Sequence, residues 1–421
     1  MIDGDEHRLG DRHSAPAILD LNRLNAVSAL GRGAKGVVFL ARDEEVGEAL
    51  ALKVILRDST EKKSKENKRV FFERQVLSSL NHPLLPRLRG VLVTEKVVGY
   101  AIDYCPGRNL HSLRKKQTEE MFSADIIRFY AAELVLALEY LHNSGIVYRD
   151  LKPDNIMIQE NGHIMLVDFD LSAKLPPISP QSSPSPTSIA KKPKSASKKR
   201  NSPLSKWCNS GISPDDSDLS IMPAQSESDS TKKSNSFVGT EEYVAPEVLL
   251  GKGHDFAVDW WSLGVVLYEM LYGRTPFRGS NRKETFYRIL SKSPELVGEA
   301  TSLRDLIRKL LEKDPKQRIA LEEIKRHRFF RGIDWEMVLQ MARPPYIPAE
   351  SEDPITGEGI DGIRKIDVEF FVQDIFSKDD DDDNENHDRE NNNRSKNIEK
   401  GAWVEGKKNP LSFESDKFSV F

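Results

Sequence analysis

The sequence is poor in the residues that build covalent or metal-bound frameworks. Only Cys105 and Cys208 are cysteines among its 421 residues, which excludes a disulfide network and fits a reducing compartment. No apolar run is long enough to span a membrane, and the charged start of the chain lacks a signal-peptide core. The formal net charge of -4 favours no particular partner, so we expect no nucleic acid ligand. We expect a soluble intracellular protein, located in the cytoplasm.

Apolar residues suffice for a large core but are unevenly distributed. Hydrophobic residues make up 38% and charged residues 30% of the chain. The stretch 174–235 is rich in Ser, Pro and Lys, and the stretch 379–393 is almost entirely charged or polar, so neither can bury enough apolar surface to fold. We therefore predict a flexible segment 1–18, a folded region 19–330 with a disordered insert at 174–235, and a tail at 331–421.

The predicted insert carries charge and phosphorylation signals. Its basic run at 191–200 is typical of a nuclear import signal, of a patch that contacts anionic lipid, or of a solvated linker. The nucleus and the membrane surface are therefore alternative locations. Five serines stand before proline and could be targets of a proline-directed kinase: Ser179, Ser183, Ser185, Ser202 and Ser213.

The most informative stretch is 147–155, followed by Asp168 at the end of a predicted strand. It brings a carboxylate at Asp150, an ammonium at Lys152 and an amide at Asn155 onto one loop. Phosphoryl transfer needs such groups, because its charge lies on phosphate oxygens that require cations, metal ions and an oriented hydroxyl. A turn of solvated charges is the alternative, which the flanking apolar runs at 145–147 and 164–167 disfavour.

A glycine-rich turn near the start of the folded region predicts a phosphate-binding loop. Gly31, Gly33 and Gly36 are spaced G-x-G-x-x-G, a pattern that dinucleotide-binding folds share. A dinucleotide site needs a helix to follow, whereas here a strand, a turn and a second strand follow. Lys53 lies in that second strand, where a charge is costly unless paired. We predict Glu73, on the next helix, as its partner; a snorkelling lysine and an exposed glutamate are the alternatives.

The remaining pattern predicts an α+β protein of two lobes. Short strands dominate 19–102, and a Pro-Gly break at 106–107 connects them to a mainly helical region at 107–330. Ser123 is a plausible N-cap for a helix that ends near His142. The stretch 255–273 is apolar on nearly every face, which indicates a helix at the centre of the large lobe.

The ordered set of motifs resembles a eukaryotic protein kinase, with a β-rich small lobe and a mainly helical large lobe. After the glycine loop, Lys53 and Glu73 come R-D-x-x-x-x-N at 149–155, D-F-x at 168–170 and A-P-E at 245–247. The tail is similar to that of the AGC kinases. Asp-Phe-Asp at 168–170, the long insert and the terminal F-x-x-F resemble the plant-specific AGC subfamily, most closely an oxidative-signal-inducible member.

The resemblance implies ATP and Mg²⁺ as cofactors and protein hydroxyls as acceptors. Asp150 would be the catalytic base, Lys152 would face the moving phosphate, and Asn155 and Asp168 would hold magnesium. The implied nucleotide-binding residues are Leu30, Gly31, Arg32, Gly33, Ala34, Lys35, Gly36, Val38, Ala51, Lys53, Asp103 and Cys105, of which Asp103 and Cys105 would use backbone atoms.

The resemblance also implies how the protein is regulated. Ser236 would be the activation-loop phosphosite, with Arg149 adjacent to receive its charge. Phe418 and Phe421 would form a hydrophobic motif that docks on the small lobe of this chain or of the phosphoinositide-dependent kinase that phosphorylates the loop. We expect a monomer, with Glu247 and Arg318 forming an internal ion pair.

Two departures from the family pattern affect these expectations. Asp170 replaces a glycine whose positive φ would let the metal-binding segment flip, so we predict fewer inactive conformations. Asn109 stands where relatives carry an acid that recognises substrate arginine; Asp154 and Glu269 remain nearby, so a preference for basic substrates is expected but weakened. Two alternatives stay open: a pseudokinase scaffold that binds partners through its tail and insert, and a kinase of lipids or small molecules.

Overall fold

The computed structural model describes residues 16–33, 36–45, 47–57, 61–175, 240–253, 255–340, 366–376 and 419–420, without the side chains of 61–68 and 419–420. All of these belong to one compact unit of the chain, Met1–Leu175 with Lys233–Phe421. Several predicted features lie outside the described residues: Ala34 and Lys35 of the glycine loop, the basic run at 191–200, Ser236, Phe418 and Phe421.

The small lobe is built on a six-stranded sheet. Its strands are β1 Leu24–Arg32, β2 Val37–Asp43, β3 Ala49–Leu56, β4 Leu88–Val93, β5 Val97–Asp103 and, from the far end of the chain, β10 Ser419–Val420. Their order across the sheet is β10-β1-β2-β3-β5-β4. All pairs are antiparallel except that between β10 and β1, where Gly31 faces Ser419 and Arg32 faces Val420.

Strand register sorts the side chains of this sheet into two faces. Val38 lies opposite Lys53, and Leu40 opposite Ala51, so these side chains share one face. The alternate residues, among them Phe39, share the other face, where a separate apolar cluster forms. The first face carries the residues predicted to contact nucleotide, so the alternation separates a functional face from an outer core.

A long helix separates the third and fourth strands of the small lobe along the chain. Helix α1, Glu61–Leu77, carries Glu73 and is followed in the chain by β4 and β5. At the edge of the sheet formed by β4, Leu19 N–H donates to the carbonyl of Val91 at 2.8 Å. The end of the N-terminal segment therefore lies alongside β4. Sequence analysis placed the start of the folded region at residue 19, beside this contact.

Helices form most of the large lobe. They are α2 Leu110–Lys115, α3 Ala124–Asn143, α4 Pro246–Leu249, α5 Ala257–Tyr272, α6 Arg282–Ser291, α7 Ser302–Leu310 and α8 Leu321–Lys325. The predicted cap of α3 is confirmed, since the Ser123 side chain accepts a hydrogen bond from Ile126 N–H. Helix α5 is buried along nearly its whole length, as its all-round apolar sequence predicted.

Short strands frame the loop that carries Asp150. They are β6 Ile146–Val147, β7 Ile156–Ile158, β8 Ile164–Leu166 and β9 Ala173–Lys174, paired as β6 with β9 and β7 with β8. The apolar runs predicted to clamp the loop therefore do so as two small antiparallel ladders.

A tail helix, which sequence analysis did not predict, covers the outer face of the small-lobe sheet. Residues 368–376 form this helix, α9, and Asp367 Oδ1 accepts a hydrogen bond from Phe370 N–H at its start. Val368 and Val372 are buried in the outer core. Across the described part of the chain, no helix combines the length and the hydrophobicity that crossing a bilayer requires.

Candidate active site

Asp150 lies at the centre of a hydrogen-bonded loop between β6 and β7. Its carboxylate is 3.0 Å from Lys152 Nζ and accepts a hydrogen bond from the Asn155 amide at 2.9 Å and from the Thr240 hydroxyl at 3.0 Å. Burial raises the pKa of Asp150, while Lys152 and Thr240 oppose that rise. The side chain is thus held by three neighbours, two of which, Lys152 and Thr240, limit the rise of its pKa.

A buried aspartate in α5 holds this loop in shape. Asp259 accepts hydrogen bonds from the backbone N–H groups of Tyr148 at 2.9 Å and Arg149 at 2.8 Å, and its Oδ2 lies 2.8 Å from His142 Nε2. Arg149 has a φ of 70°, a conformation that costs a non-glycine residue about 1–3 kcal/mol unless its surroundings impose it. The bonds from Asp259 supply that constraint, so the large-lobe core fixes the catalytic loop.

Lys53, Glu73 and Asp168 converge from three separate elements. Lys53 Nζ is 3.1 Å from a Glu73 oxygen and 3.0 Å from Asp168 Oδ1. Burial would lower the pKa of Lys53, but the two carboxylates outweigh it and hold that pKa well above its usual value. For Asp168, burial would raise the pKa, but Lys53 and then Lys152 lower it, so the carboxylate stays ionised.

The backbone around Asp168 is held in the same arrangement. Asp168 has a φ of 59°, and the next residue, Phe169, donates its N–H to Glu73 at 3.0 Å. Asp170 does not take a positive φ, and its N–H bonds to Asp168. This conformation therefore does not need the glycine that Asp170 replaces, which explains how an aspartate is accommodated there.

The residues predicted to hold magnesium fit a hard cation. Asn155 donates its amide N–H to Asp150, which leaves its buried Oδ1 without a hydrogen-bond partner among the described residues. A buried unsatisfied oxygen is costly, and amide and carboxylate oxygens are the ligands that Mg²⁺ takes. Asp168 supplies a second oxygen donor in the same cleft. The chemistry of this pair therefore suits Mg²⁺, whose remaining ligands would be phosphate and water.

The glycine-rich loop lies close against its neighbouring strand. A Cβ on Gly36 would come within 2.5 Å of the carbonyl oxygen of Val54, so only glycine fits there without a shift. The paired strands β2 and β3 then place Val38 opposite Lys53 on the cleft side of the sheet. The described glycines of this loop, Gly31, Gly33 and Gly36, thus lead directly into the strand that faces the lysine.

The connector between the lobes forms an apolar floor beside the cleft. Cys105 is buried against Met165 and Val167, with Ile102 and Met157 packed on the same cluster. Burial raises the pKa of the Cys105 thiol to about 12, which supports the prediction of a packed rather than a reactive residue.

The side chain of the other connector residue, Asp103, is already bonded within the small lobe. It accepts hydrogen bonds from Arg87 N–H at 2.9 Å and Arg89 Nε at 2.5 Å. Its side chain is therefore engaged within the small lobe, and the contact of its backbone with adenine stays a prediction.

Thr240 was missed by sequence analysis. Its hydroxyl donates to Asp150 and accepts from Lys152 Nζ at 3.2 Å, so it links the segment after the insert to the catalytic loop. The available signal was the ordered run that resumes just before the A-P-E motif. The A-P-E glutamate, Glu247, forms the predicted pair with Arg318, with both oxygens bonded at 2.7 and 2.9 Å.

The three polar residues considered for recognition of basic substrates differ in whether their side chains are already hydrogen-bonded. Asn109 is buried and caps α2 by accepting from Ser112 N–H at 2.9 Å. Glu269 is buried between the Tyr243 hydroxyl and Arg114, which bond its two oxygens. Asp154 is partly exposed and, among the described residues, has no hydrogen bond or ion pair. It is thus the acid of this group with an uncommitted carboxylate.

Two arginines come together near the start of the segment that would hold Ser236. Burial lowers the pKa of Arg149, Asp259 opposes this, and the nearby guanidinium of Arg69 lowers it further. Arg149 also donates to the Leu171 carbonyl at 2.6 Å. Like charges repel, so an anionic group beside both arginines would stabilise them.

Comparison with known proteins agrees with this geometry. Residues 24–191 and 223–330 match the family described as "Protein kinase domain". The chain is 60% identical to the serine/threonine-protein kinase OXI1 of Arabidopsis thaliana, over the whole of both chains. It is 42% identical to the serine/threonine-protein kinase UCNL, over 83% of this chain and 89% of that one, and 40% identical to AGC1-5, over 80% and 61%, both from the same plant.

Proposed function

The chain belongs to the protein kinase family as an AGC-type serine/threonine kinase, and from that premise we propose that Asp150 directs transfer of the γ-phosphate of ATP to protein hydroxyls. The convergence of Lys53, Glu73, Asp168 and Asp150 in one cleft is the observation that carries the proposal. Members of this family generally use ATP and Mg²⁺. A signalling role of this chain in oxidative stress stays a prediction.

Each charged residue of the cleft has a distinct part in this proposal. Lys53, held by Glu73, contacts the α- and β-phosphates, and the Asp150 carboxylate accepts a hydrogen bond from the acceptor hydroxyl. Lys152, whose Nζ lies 3.0 Å from the Asp150 carboxylate, faces the transferred phosphate. Asn155 and Asp168 would hold Mg²⁺, which neutralises phosphate charge when bound.

A phosphotransfer assay with matched variants tests this assignment. The purified full-length protein should phosphorylate a degenerate Ser/Thr peptide library, and lipid vesicles offered alongside should remain unlabelled. Asp150→Asn keeps the size of the side chain and one of its two acceptor oxygens but removes its basicity, so the rate should fall about 10²–10⁴-fold. Equal labelling by both proteins would refute the role of Asp150 and favour a scaffold.

The substrate preference that we propose depends on Asp154. Because the carboxylate of Glu269 is already bonded and Asn109 caps a helix, Asp154 is the acid free to pair with a basic residue near the target hydroxyl. Asp154→Asn should therefore flatten any preference for Arg or Lys in the library. Asn109→Asp keeps a capping acceptor for α2 and places an acid where relatives recognise substrate arginine, so it should strengthen that preference. A basic preference that survives Asp154→Asn would contradict the proposal.

Activation, in this proposal, requires phosphorylation of Ser236 by an upstream phosphoinositide-dependent kinase that docks on Phe418 and Phe421. The proximity of Arg69 to Arg149 supports it, since a phosphate there would relieve their repulsion. A phosphopeptide map of the chain before and after incubation with the upstream kinase measures the modification.

Three variants separate the steps of this activation. Removal of residues 418–421 should abolish Ser236 phosphorylation, and Ser236→Ala should abolish activation while keeping basal activity. Arg69→Gln should reduce activation of the phosphorylated form alone. Unchanged Ser236 phosphorylation after the truncation would exclude docking through the tail.

A further inference from the structure

Helix α9, residues 368–376, packs on the outer core of the small lobe. Val372 is fully buried and Val368 is 5% exposed. The ring of Phe371 meets that of Phe39, in β2, edge to face at a centroid distance of 5.5 Å. This helix lies beyond the segment that matches the protein kinase domain, which ends at residue 330. A tail element thus completes the core of the lobe that holds the glycine-rich loop.

Polar contacts fix α9 at the edges of the same sheet. The Thr94 hydroxyl, in the turn between β4 and β5, donates to Glu369 at 2.5 Å, and Lys96 Nζ lies 3.8 Å from the same carboxylate. Just before the helix, Ile366 N–H donates to the carbonyl of Ala26 in β1 at 3.1 Å. The helix and the residues just before it therefore reach from the turn between β4 and β5 to β1 across the outer face.

The last residue of α9 reaches the glycine-rich loop itself. The guanidinium carbon of Arg32 lies 5.4 Å from the centroid of the Phe376 ring, within the range of a cation–π contact. Arg32 ends β1 and begins the loop. The tail meets this position a second time, because the backbone of Val420 pairs with that of Arg32. Two separate tail segments converge on one residue of the loop.

The outer contacts bear on the nucleotide-facing side of the sheet. Phe39 lies between Val38 and Leu40 in β2, and Val38 faces Lys53 on the cleft side. A strand that moves carries both of its faces, since successive side chains point to opposite sides of one backbone. Packing on Phe39 is therefore coupled, through the backbone of β2, to the strand that follows the glycine-rich loop.

We propose that α9 is a positioning element for ATP, which restrains the glycine-rich loop from the outer face through Phe371 on Phe39 and Phe376 on Arg32. The inference rests on the use of ATP stated above. A helix that only covered apolar surface would change stability when perturbed, but would not separate the KM for ATP from kcat. That separation is the property to measure.

The test uses the full-length protein and two phenylalanines of α9, Phe376 and Phe370. Phe376→Ala removes the contact with Arg32 and some packing on the outer core from a partly exposed site, so thermal unfolding is measured beside the nucleotide constants. Phe370→Ala is the control, because Phe370 lies on the same helix and is 66% exposed. Steady-state kinetics give kcat and the KM values for ATP and peptide. Direct titration with ADP and Mg²⁺ gives a Kd, and thermal unfolding gives Tm.

The expected result is specific to nucleotide. Phe376→Ala should raise the KM for ATP and the Kd for ADP about two- to fivefold, the change that an exposed cation–π contact corresponds to, with kcat and the peptide KM unchanged. Phe376→Tyr should restore the wild-type values, and Phe371→Leu should raise the KM for ATP by less than Phe371→Ala. Phe370→Ala should match the wild type.

Two results would overturn the inference. One is a KM for ATP and a Kd for ADP in Phe376→Ala equal to those in Phe370→Ala. The other is a fall in Tm and kcat with both nucleotide constants unchanged, which would make α9 a structural cover only. If the wild type bound ADP but transferred no phosphate, the proposed function would fail, while a change in Kd caused by Phe376→Ala would still support the positioning role.

Discussion

Removing one partner of the ion pair between Glu247 and Arg318 should destabilise the large lobe severely. The Arg318 side chain has no exposed surface and that of Glu247 is 5% exposed. Arg318 also donates to the carbonyls of Glu312 at 3.0 Å and Ala257 at 2.7 Å, and lies over the Trp261 ring at 5.2 Å. The pair thus connects the A-P-E segment to the centre of the lobe. Because both side chains are buried, water cannot replace a partner that is removed.

The magnitude follows from that burial. Glu247→Ala leaves a guanidinium in the core with two of its hydrogen bonds and a ring contact, which places the cost near the lower end of the range for buried pairs, about 3 kcal/mol. Folded domains are stable by about 5–15 kcal/mol, so this loss is a large share of the total. The double variant Glu247→Leu with Arg318→Met removes both charges and should cost far less.

Urea unfolding followed by tryptophan fluorescence measures these differences, since Trp261 reports on the site directly. The exposed pair of Glu322 and Arg326, with side chains 70% and 80% exposed, provides the control. Glu322→Ala should change the free energy of unfolding by about 0–1 kcal/mol. A cost for Glu247→Ala no larger than that for Glu322→Ala, or a double variant as unstable as the single one, would refute the reasoning.

Three further outcomes are expected. Thr240→Ala removes a hydrogen bond that lowers the pKa of Asp150, so that pKa should rise. Because Asp150 acts deprotonated, the acid limb of the pH profile of kcat/KM should move to higher pH. Thr240→Ser keeps the hydroxyl and should leave the acid limb in place. In a Cys208→Ala background, Cys105, whose pKa is raised to about 12, should react with iodoacetamide about 10³-fold more slowly in the folded than in the denatured chain, and equal rates would contradict its burial. Asn155→Ala should raise the Mg²⁺ concentration needed for half-maximal rate more than about tenfold, since even an outer-shell partner is worth that much, and Asn155→Asp should raise it less.

The order of local motifs was enough to predict the two lobes and most of the cleft. Lys53 in an apolar strand demanded a partner, and Glu73 lies 3.1 Å from it. The loop at 149–155 carries its catalytic groups within seven residues, so their proximity is set by the chain itself. Patterns within such a short loop can be predicted from the sequence, because the backbone itself keeps the groups close together.

Thr240, Asp259 and α9 could not be assigned roles from the sequence. Thr240 meets Asp150 across 90 residues, and Asp259 meets Tyr148 across 111. Helix α9 has apolar residues at helical spacing, but its partner surface is assembled from strands more than 250 residues earlier, and a short amphipathic segment is not stable alone.

The sequence by itself determined the chemical groups, the strand and helix periods that orient them, and the family to which the chain belongs. The tertiary structure alone decided which of these polar side chains stay available, since Glu269 and Asn109 are bonded within the fold, whereas Asp154 has no hydrogen bond or ion pair in the part of the chain that the structure describes. It also decided that the tail completes the small lobe. Burial and long-range contact depend on how distant segments pack together, and that packing is a property of the whole chain rather than of any stretch of it.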